Sequence, residues 1–263
     1  MFIQNQVIGH RGAAAYAPEN TLTAFNKAVA LGCRVIEFDV MLSKDGEAFV
    51  FHDNNLMRTS NGSGDFGLVS ADYLKSLDAG SWFSKQFHGE KIPTFGEVLA
   101  WMAHHDVNAN IEIKPYPGAT EQTTIKVISE IHRHWPKEKE LPLISSFDRD
   151  ALTLCHHVVP EMPLGLLLAK WQENWLQLAR ELDCFSVHLN KRDATHTRIN
   201  EIKAQGFKVC VYTVNNKRQA YKLFNYGVDA VFSDRPDLLT RVSWVSRVLK
   251  KLILSEKSLT WPR

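Results

Sequence analysis

Three short segments set ionisable side chains among apolar neighbours that would otherwise read as buried strands. They are Ile8-Gly9-His10-Arg11-Gly12, Glu37-Phe38-Asp39 and Ile111-Glu112-Ile113-Lys114. Residues two apart on a strand point to the same side, so Glu37 shares a face with Asp39, and Glu112 with Lys114. Burying an ionised carboxylate is costly unless it is paired or binds a cation. Ion pairs of Asp39 with Arg11 and of Glu112 with Lys114 would account for each carboxylate taken singly. Three of them on neighbouring strand ends, with no thiolate among them, favour a hard divalent cation, Mg²⁺ first, with Ca²⁺ or Mn²⁺ as alternatives.

Two histidines flank that cluster. His10 closes the first apolar run and His52 closes the run from Glu47 to His52. With an ordinary pKa of about 6.5, two imidazoles can divide the work of general base and general acid near neutral pH. The other histidines read differently. His156, His157 and His188 sit in apolar runs as core residues, whereas His88, His104, His105, His132, His134 and His196 read as surface. Arg11 and Lys114 add positive charge at the same mouth, and a guanidinium forks onto phosphate oxygens. A cation, two basic side chains and two imidazoles together make a kit for phosphoester cleavage, where charge developing on oxygen must be stabilised.

Such residues need elements that bring their strand ends together. Runs rich in β-branched and apolar residues begin near Val7, Val35, Asn110, Pro142, Leu164, Cys184, Lys208 and Asp229. Helix-period segments follow them, for example Thr21 to Gly32 with Leu22, Phe25, Ala28 and Val29 on one face. Eight β-then-α units in 263 residues predict an α/β fold, a TIM (β/α)8 barrel with its site at the carboxyl ends of the strands. Residues 1–263 are then one domain. The long gap from Val35 to Asn110 is explained by a turn at Lys44-Asp45-Gly46 and an insert at about residues 53–93, between strand two and its helix from Thr94 to His105. We expect this insert to form a lid or pocket wall, with Trp82 and Phe83 as candidate apolar lining. The alternative is a surface excursion packed on its own aromatics.

Composition narrows the function classes. Hydrophobic residues at 44% and charged residues at 23% exclude a disordered, collagen-like or disulfide-miniprotein chain. A net charge of +2 gives no nucleic-acid footprint. Cys33, Cys155, Cys184 and Cys210 show no Cys-x-x-Cys spacing, which favours core thiols in a reducing compartment. The N-terminus lacks a signal-peptide pattern, and the stretch from Met162 to Ala169 is too short to span a bilayer. A cytoplasmic location without stable membrane insertion is expected. The amphipathic stretch Val242 to Leu254 reads as the last barrel helix, with a membrane-surface helix as the alternative.

Taken in order, the strings His10-Arg11-Gly12, Pro18-Glu19-Asn20-Thr21, Glu37-Phe38-Asp39-Val40, His52-Asp53, Glu112-Ile113-Lys114-Pro115 and Tyr212-Thr213-Val214-Asn215 resemble the glycerophosphodiester phosphodiesterase family. The likeness runs from about residue 7 to 236. The insert strings Arg58-Thr59-Ser60-Asn61-Gly62 and Asp78-Ala79-Gly80-Ser81-Trp82 are most similar to cytoplasmic bacterial members associated with glycerol-3-phosphate uptake. The resemblance implies a TIM barrel, a divalent metal held by Glu37, Asp39 and Glu112, catalytic His10 and His52, and phosphate contacts from Arg11 and Lys114. It also implies that Glu19 and Asn20 lie near the site, where both would also serve as helix-entry caps. Tyr212 stands where the wider family commonly has Trp, and bears on the apolar wall against the substrate. The implied activity is hydrolysis of small glycerophosphodiesters to sn-glycerol 3-phosphate and an alcohol. A lysophospholipase D-type lipid phosphodiesterase and a non-catalytic phosphoester sensor are the alternatives. The division of roles between the histidines, direct water attack against a cyclic phosphate, and homo-oligomerisation stay open at this level.

Overall fold

The computed structural model describes residues 7–237; the helix expected over Val242 to Leu254 lies outside the described residues. Among the described residues nine strands form one sheet: β1 (Val7–His10), β2 (Val35–Leu42), β3 (Ala48–Val50), β4 (Asn108–Ile113), β5 (Leu143–Ser146), β6 (Leu164–Leu168), β7 (Ser186–Asn190), β8 (Lys208–Tyr212) and β9 (Ala230–Ser233). The order β1-β9-β8-β7-β6-β5-β4-β2 closes through a parallel β1–β2 pairing, so eight parallel strands make a barrel. β3 folds back antiparallel on β2 outside the closed ring. This is the TIM barrel expected from the spacing of the apolar runs, with the insertion between strand two and its helix.

The helices are α1 (Leu22–Ala30), α2 (Ala71–Ser76), α3 (Phe95–Ala103), α4 (Thr120–His134), α5 (Arg149–Val158), α6 (Trp175–Glu181), α7 (His196–Ala204) and α8 (Lys217–Asn225). All but α2 follow barrel strands and cover the ring. Side-chain caps set several of their starts: Thr21 accepts from the Ala24 N–H, and Thr94 forms a reciprocal capping box with Glu97. The helix faces turned to the sheet bury a continuous apolar layer that includes Phe25, Phe38, Phe95, Ile111 and Trp175. Inside the ring, a smaller apolar group of Ile8, Val35, Leu143, Cys210, Ala230 and Phe232 fills the amino-terminal part. All four cysteines are buried and unbridged. Among the described residues no helix is long and apolar enough to cross a membrane.

The insert carries a core of its own. Met41 and Phe49 of the β2–β3 hairpin pack with Phe51, Leu56, Phe66, Leu74, Leu77 and Ile92, and the rings of Phe51 and Phe66 stack at 4.9 Å. A short helix, α2, and two 3-10 turns at Phe66–Leu68 and Lys85–Phe87 supply its local order. The expectation that His156 and His157 are core residues is corrected. The buried face of α5 is Ala151, Leu152 and Cys155, which leaves His157 exposed and His156 half-buried.

Candidate active site

Strand pairing sets the site. His10 is in register with Glu37, and Asp39 with Glu112, so β1, β2 and β4 deliver their polar residues to one carboxyl-end mouth. The chain leaves β1 through Arg11 and Gly12, both with left-handed backbone (φ 50° and 85°). A Cβ on Gly12 would come within 2.7 Å of the Ala24 backbone, so this turn must carry glycine. The turn aims the Arg11 N–H at Glu37 Oε2, 2.9 Å away.

Glu37, Asp39 and Glu112 are all buried, and their carboxylate oxygens lie within 4.8 Å of one another. Burial, with Asp39 and Glu112 close by, pushes the Glu37 carboxyl well above the usual range. Burial and Asp39 push Glu112 up to about 8. Burial opposes the charge of Asp39 as well, but there it is outweighed by Arg11, His52, Lys114 and a hydrogen bond from Asn20, which hold Asp39 below its ordinary value. Three oxygen donors converge, and burial together with their mutual repulsion favours the protonated form of Glu37 and Glu112. This donor set fits a hard divalent cation, whose charge would ionise all three.

Arg11 lies beside this cluster. Its Nη1 donates to Glu19 Oε1 at 2.6 Å and its Nε lies 3.4 Å from Asp39 Oδ2. Burial disfavours its charge, but Asp39, Glu19 and Glu37 more than offset this and fix it as a cation. Glu19 also accepts from both terminal nitrogens of Arg58, at 2.9 and 2.7 Å. Arg58 in turn clamps Asp53, and Asp53 accepts from His52 Nδ1. A continuous chain of charge thus runs from Arg11 through Glu19, Arg58 and Asp53 to His52. On its other side His52 Nε2 is 2.6 Å from Lys114 Nζ. An ammonium only donates, so Nε2 is the acceptor and the proton sits on Nδ1. Burial, reinforced by the charges of Arg11 and Lys114, holds the His52 pKa below its ordinary value and the ring neutral.

His10 is held from the neighbouring strand β9. Its Nδ1 is 2.6 Å from Asp234 Oδ1, at the end of β9. Asp234 is itself fixed by Asn215, whose Nδ2 donates to Oδ2 and whose Oδ1 accepts from the Asp234 N–H at 2.9 Å. Burial tends to raise the Asp234 pKa, but the bonds from His10 and Asn215 outweigh it, and the carboxylate stays ionised. Both imidazoles therefore present the same device, a carboxylate at Nδ1 that orients the ring and sets its tautomer.

His10, Arg11, Glu37, His52, Glu112 and Tyr212 share one cavity of about 150 Å³. Tyr212 donates its hydroxyl to the Leu168 carbonyl at 2.7 Å, which leaves its ring to meet Phe147 edge-on at 5.9 Å as an apolar wall. Lys114 and Asp39 reach the site behind this lining. Glu19 and Asn20 line a small adjoining pocket with His52. Trp82 is brought elsewhere. Asp78 accepts from the N–H groups of Gly80, Ser81 and Gly89 and ties the turn back into the insert. The Trp82 indole donates to the Ala79 carbonyl at 2.8 Å and its ring packs edge-on against Phe83, 38% exposed and outside the cavity lining. Sequence reasoning passed over Asp53, Arg58, Asn215 and Asp234 as site residues. The signal for Asp234 was its place at the carboxyl end of the last apolar run, the same position that singled out His10 on the first.

The family model for the glycerophosphoryl diester phosphodiesterase family matches residues 10–238. A glycerophosphodiester phosphodiesterase of Caldanaerobacter subterraneus is 36% identical over 89% of this chain and 95% of its own. One from Bacillus subtilis is 33% identical over 89% of this chain and 85% of its own. Among solved structures, an Oleispira antarctica phosphodiesterase in complex with its product sn-glycerol-3-phosphate superposes with a TM-score of 0.86 at 37% identity, covering 89% of this chain and 94% of that one. With the likeness spanning the barrel from His10 at the first strand end to the last strand, the chain belongs to the glycerophosphoryl diester phosphodiesterase family and is a phosphoric diester hydrolase.

Proposed function

We propose that the chain hydrolyses small glycerophosphodiesters to sn-glycerol 3-phosphate and an alcohol, in a divalent-cation-dependent reaction whose protons are moved by His10 and His52. The observation that carries this reading is the pair of imidazoles, each oriented by a carboxylate at Nδ1, in one cavity with a cluster of three carboxylates. Glu37, Asp39 and Glu112 would hold the cation, Mg²⁺ by preference and Ca²⁺ or Mn²⁺ as alternatives. When bound, it supplies positive charge that polarises the phosphoryl oxygens.

The rest follows from the chain's own residues. Arg11 and Lys114 place positive charge beside the phosphodiester and orient it. Glu19, engaged by Arg11 and Arg58, acts by holding Arg11 in place. Neutral His52 has its lone pair at Nε2, and this nitrogen takes the proton of the attacking hydroxyl as Lys114 turns to the phosphate. His10, backed by Asp234, delivers a proton to the departing alcohol. The attacking hydroxyl is water, or the glycerol 2-hydroxyl of the substrate through a cyclic phosphate that water then opens; the same two imidazoles serve both routes. Tyr212 and Phe147 flank the alcohol end. We read the chain as one catalytic domain, with the insert at 53–93 buttressing His52 through Arg58. The four unbridged thiols are consistent with a cytoplasmic setting.

The test is release of sn-glycerol 3-phosphate from glycerophosphocholine and glycerophosphoethanolamine by chelator-stripped protein, with single cations restored in turn. Release is expected only with a cation. His10→Ala and His52→Ala should each lower kcat by about 10²–10⁴-fold while keeping the wild-type circular dichroism. Near-wild-type turnover in either variant removes that residue from the mechanism, and no release with any cation overturns the reaction.

A further inference from the structure

The floor of the same cavity is built from side chains that the proposed chemistry leaves unused. The alternation that turns Glu112 inward also turns Asn110 inward, one layer deeper on β4. Ser145 on β5 is in register with Glu112 and is followed in register by Gly165 on β6 and Ser186 on β7, with His188 two residues further along β7. Leu167 and Phe232 supply apolar lining to the same cavity. Beside the carboxylates, one sector of the lining is therefore neutral and polar.

That sector is fully buried, but its hydrogen bonding is incomplete. Asn110 and His188 are 1% and 0% exposed. Asn110 Nδ2 donates to Ser145 Oγ at 2.9 Å, and His188 Nε2 pairs with Ser186 Oγ at 2.9 Å. Asn110 Oδ1 and His188 Nδ1 have no partner, and both residues line the cavity. Buried polar atoms are almost always satisfied, so two orphan atoms on residues that line one cavity point to a place where a ligand completes the bonding. Gly165 makes the room: a Cβ there would fall 2.7 Å from His188 Nε2.

The chemistry of the orphans selects the ligand. Burial pushes the His188 pKa down to about 3, so the ring is neutral throughout the working range and attracts no anion. Asn110 Oδ1 only accepts, which excludes a phosphate oxygen and an ether oxygen as its partner. His188 Nδ1 donates or accepts according to the direction of the Ser186 bond. A hydroxyl that donates to Asn110 Oδ1 can accept from a protonated His188 Nδ1, and where Nδ1 is the acceptor a second hydroxyl must donate to it, so the group that serves both tautomers is a vicinal diol. We propose that Asn110 and His188 form a hydroxyl-recognition subsite that holds the glycerol end of the diester and sets the preference for glycerol-based over plain alkyl phosphates. This rests on the cavity being the phosphodiester site.

The experiment titrates cation-loaded wild type, His188→Phe, Asn110→Leu and His188→Gln with sn-glycerol 3-phosphate and with propyl phosphate, which lacks only the two hydroxyls. In parallel it measures kcat and KM for glycerophosphocholine. Wild type should hold sn-glycerol 3-phosphate at least about tenfold more tightly than propyl phosphate. His188→Phe and Asn110→Leu should lose that margin without weakening propyl phosphate, and should raise KM more than they lower kcat. His188→Gln, which keeps a hydrogen-bonding group, should recover part of the margin. An unchanged margin in the first two variants, or equal loss of both ligands, overturns the subsite and leaves the floor a structural network. Wild type that turns over glycerophosphocholine but shows no margin removes the subsite alone; wild type that neither turns over nor binds removes the underlying reading as well.

Discussion

His10 and His52 are ordinary imidazoles made useful by what stands behind them. A carboxylate on Nδ1 orients the ring and stabilises the charge that appears when Nε2 takes a proton, without itself touching substrate. Asp234 is such a positioning residue, fixed by two bonds from Asn215 and its own backbone and one from His10. Asp234→Asn keeps the shape and removes the charge. We expect kcat to fall about 10²-fold or more, with KM changed less than about threefold, because the loss falls on the transition state. Steady-state kinetics on glycerophosphocholine check this, and a variant that changes KM and leaves kcat intact would assign Asp234 to substrate binding. The charged residues that line or adjoin the cavity, from His10 and Arg11 to Glu112 and Lys114, were legible in the sequence because ionisable residues inside apolar runs are an anomaly that needs a cause. The supporting residues were not, because Asp and Asn at strand ends are also the ordinary vocabulary of turns and caps.

Elements carry the site through a few tight junctions. The β1–α1 turn is the tightest, since it both ends the strand bearing His10 and sends the Arg11 N–H to Glu37. Gly12 meets the Ala24 backbone at a distance no Cβ tolerates, whereas Gly46, at a similar φ of 82°, has open space around it. The two glycines separate conformational strain from steric conflict. Gly46→Ala should cost about 1 kcal/mol from the left-handed backbone alone. Gly12→Ala should cost about 2 kcal/mol or more and lower activity with it, because α1 must move away from the strand. Denaturant melts of the two variants test the contrast, and equal losses would contradict it. At this scale the strands were legible because fully buried parallel strands are continuous apolar runs; observed starts fall within two residues of those expected. The interior of the insert was not. Its core joins Met41, Phe66 and Ile92 across distant positions, and the direction in which Asp78 turns Trp82 leaves no local trace in the sequence.

Across the whole molecule, barrel closure forces the three carboxylates together, so folding and cation binding are linked. A carboxyl whose folded pKa is raised keeps a proton that the unfolded chain has already released. Stability therefore falls as pH rises from the ordinary value of 4.5 toward the folded value, which for Glu112 is about 8, and Glu37 shifts in the same direction. Asp39 is shifted the other way, but its window lies below its ordinary value of 3.8 and does not overlap. Occupancy by a divalent cation would hold all three groups ionised and remove the penalty, and the same linkage makes cation binding release protons and tighten as pH rises. Chelator-stripped protein should thus lose thermal stability between pH 5 and 8 relative to cation-loaded protein, the gap between the two melting curves widening with pH. Other titrating groups act on both forms and cancel in the difference. Parallel melting temperatures across that range would mean that the carboxylates are compensated by Arg11 and Lys114 alone, and that the cluster is a network of ion pairs and not a cation site.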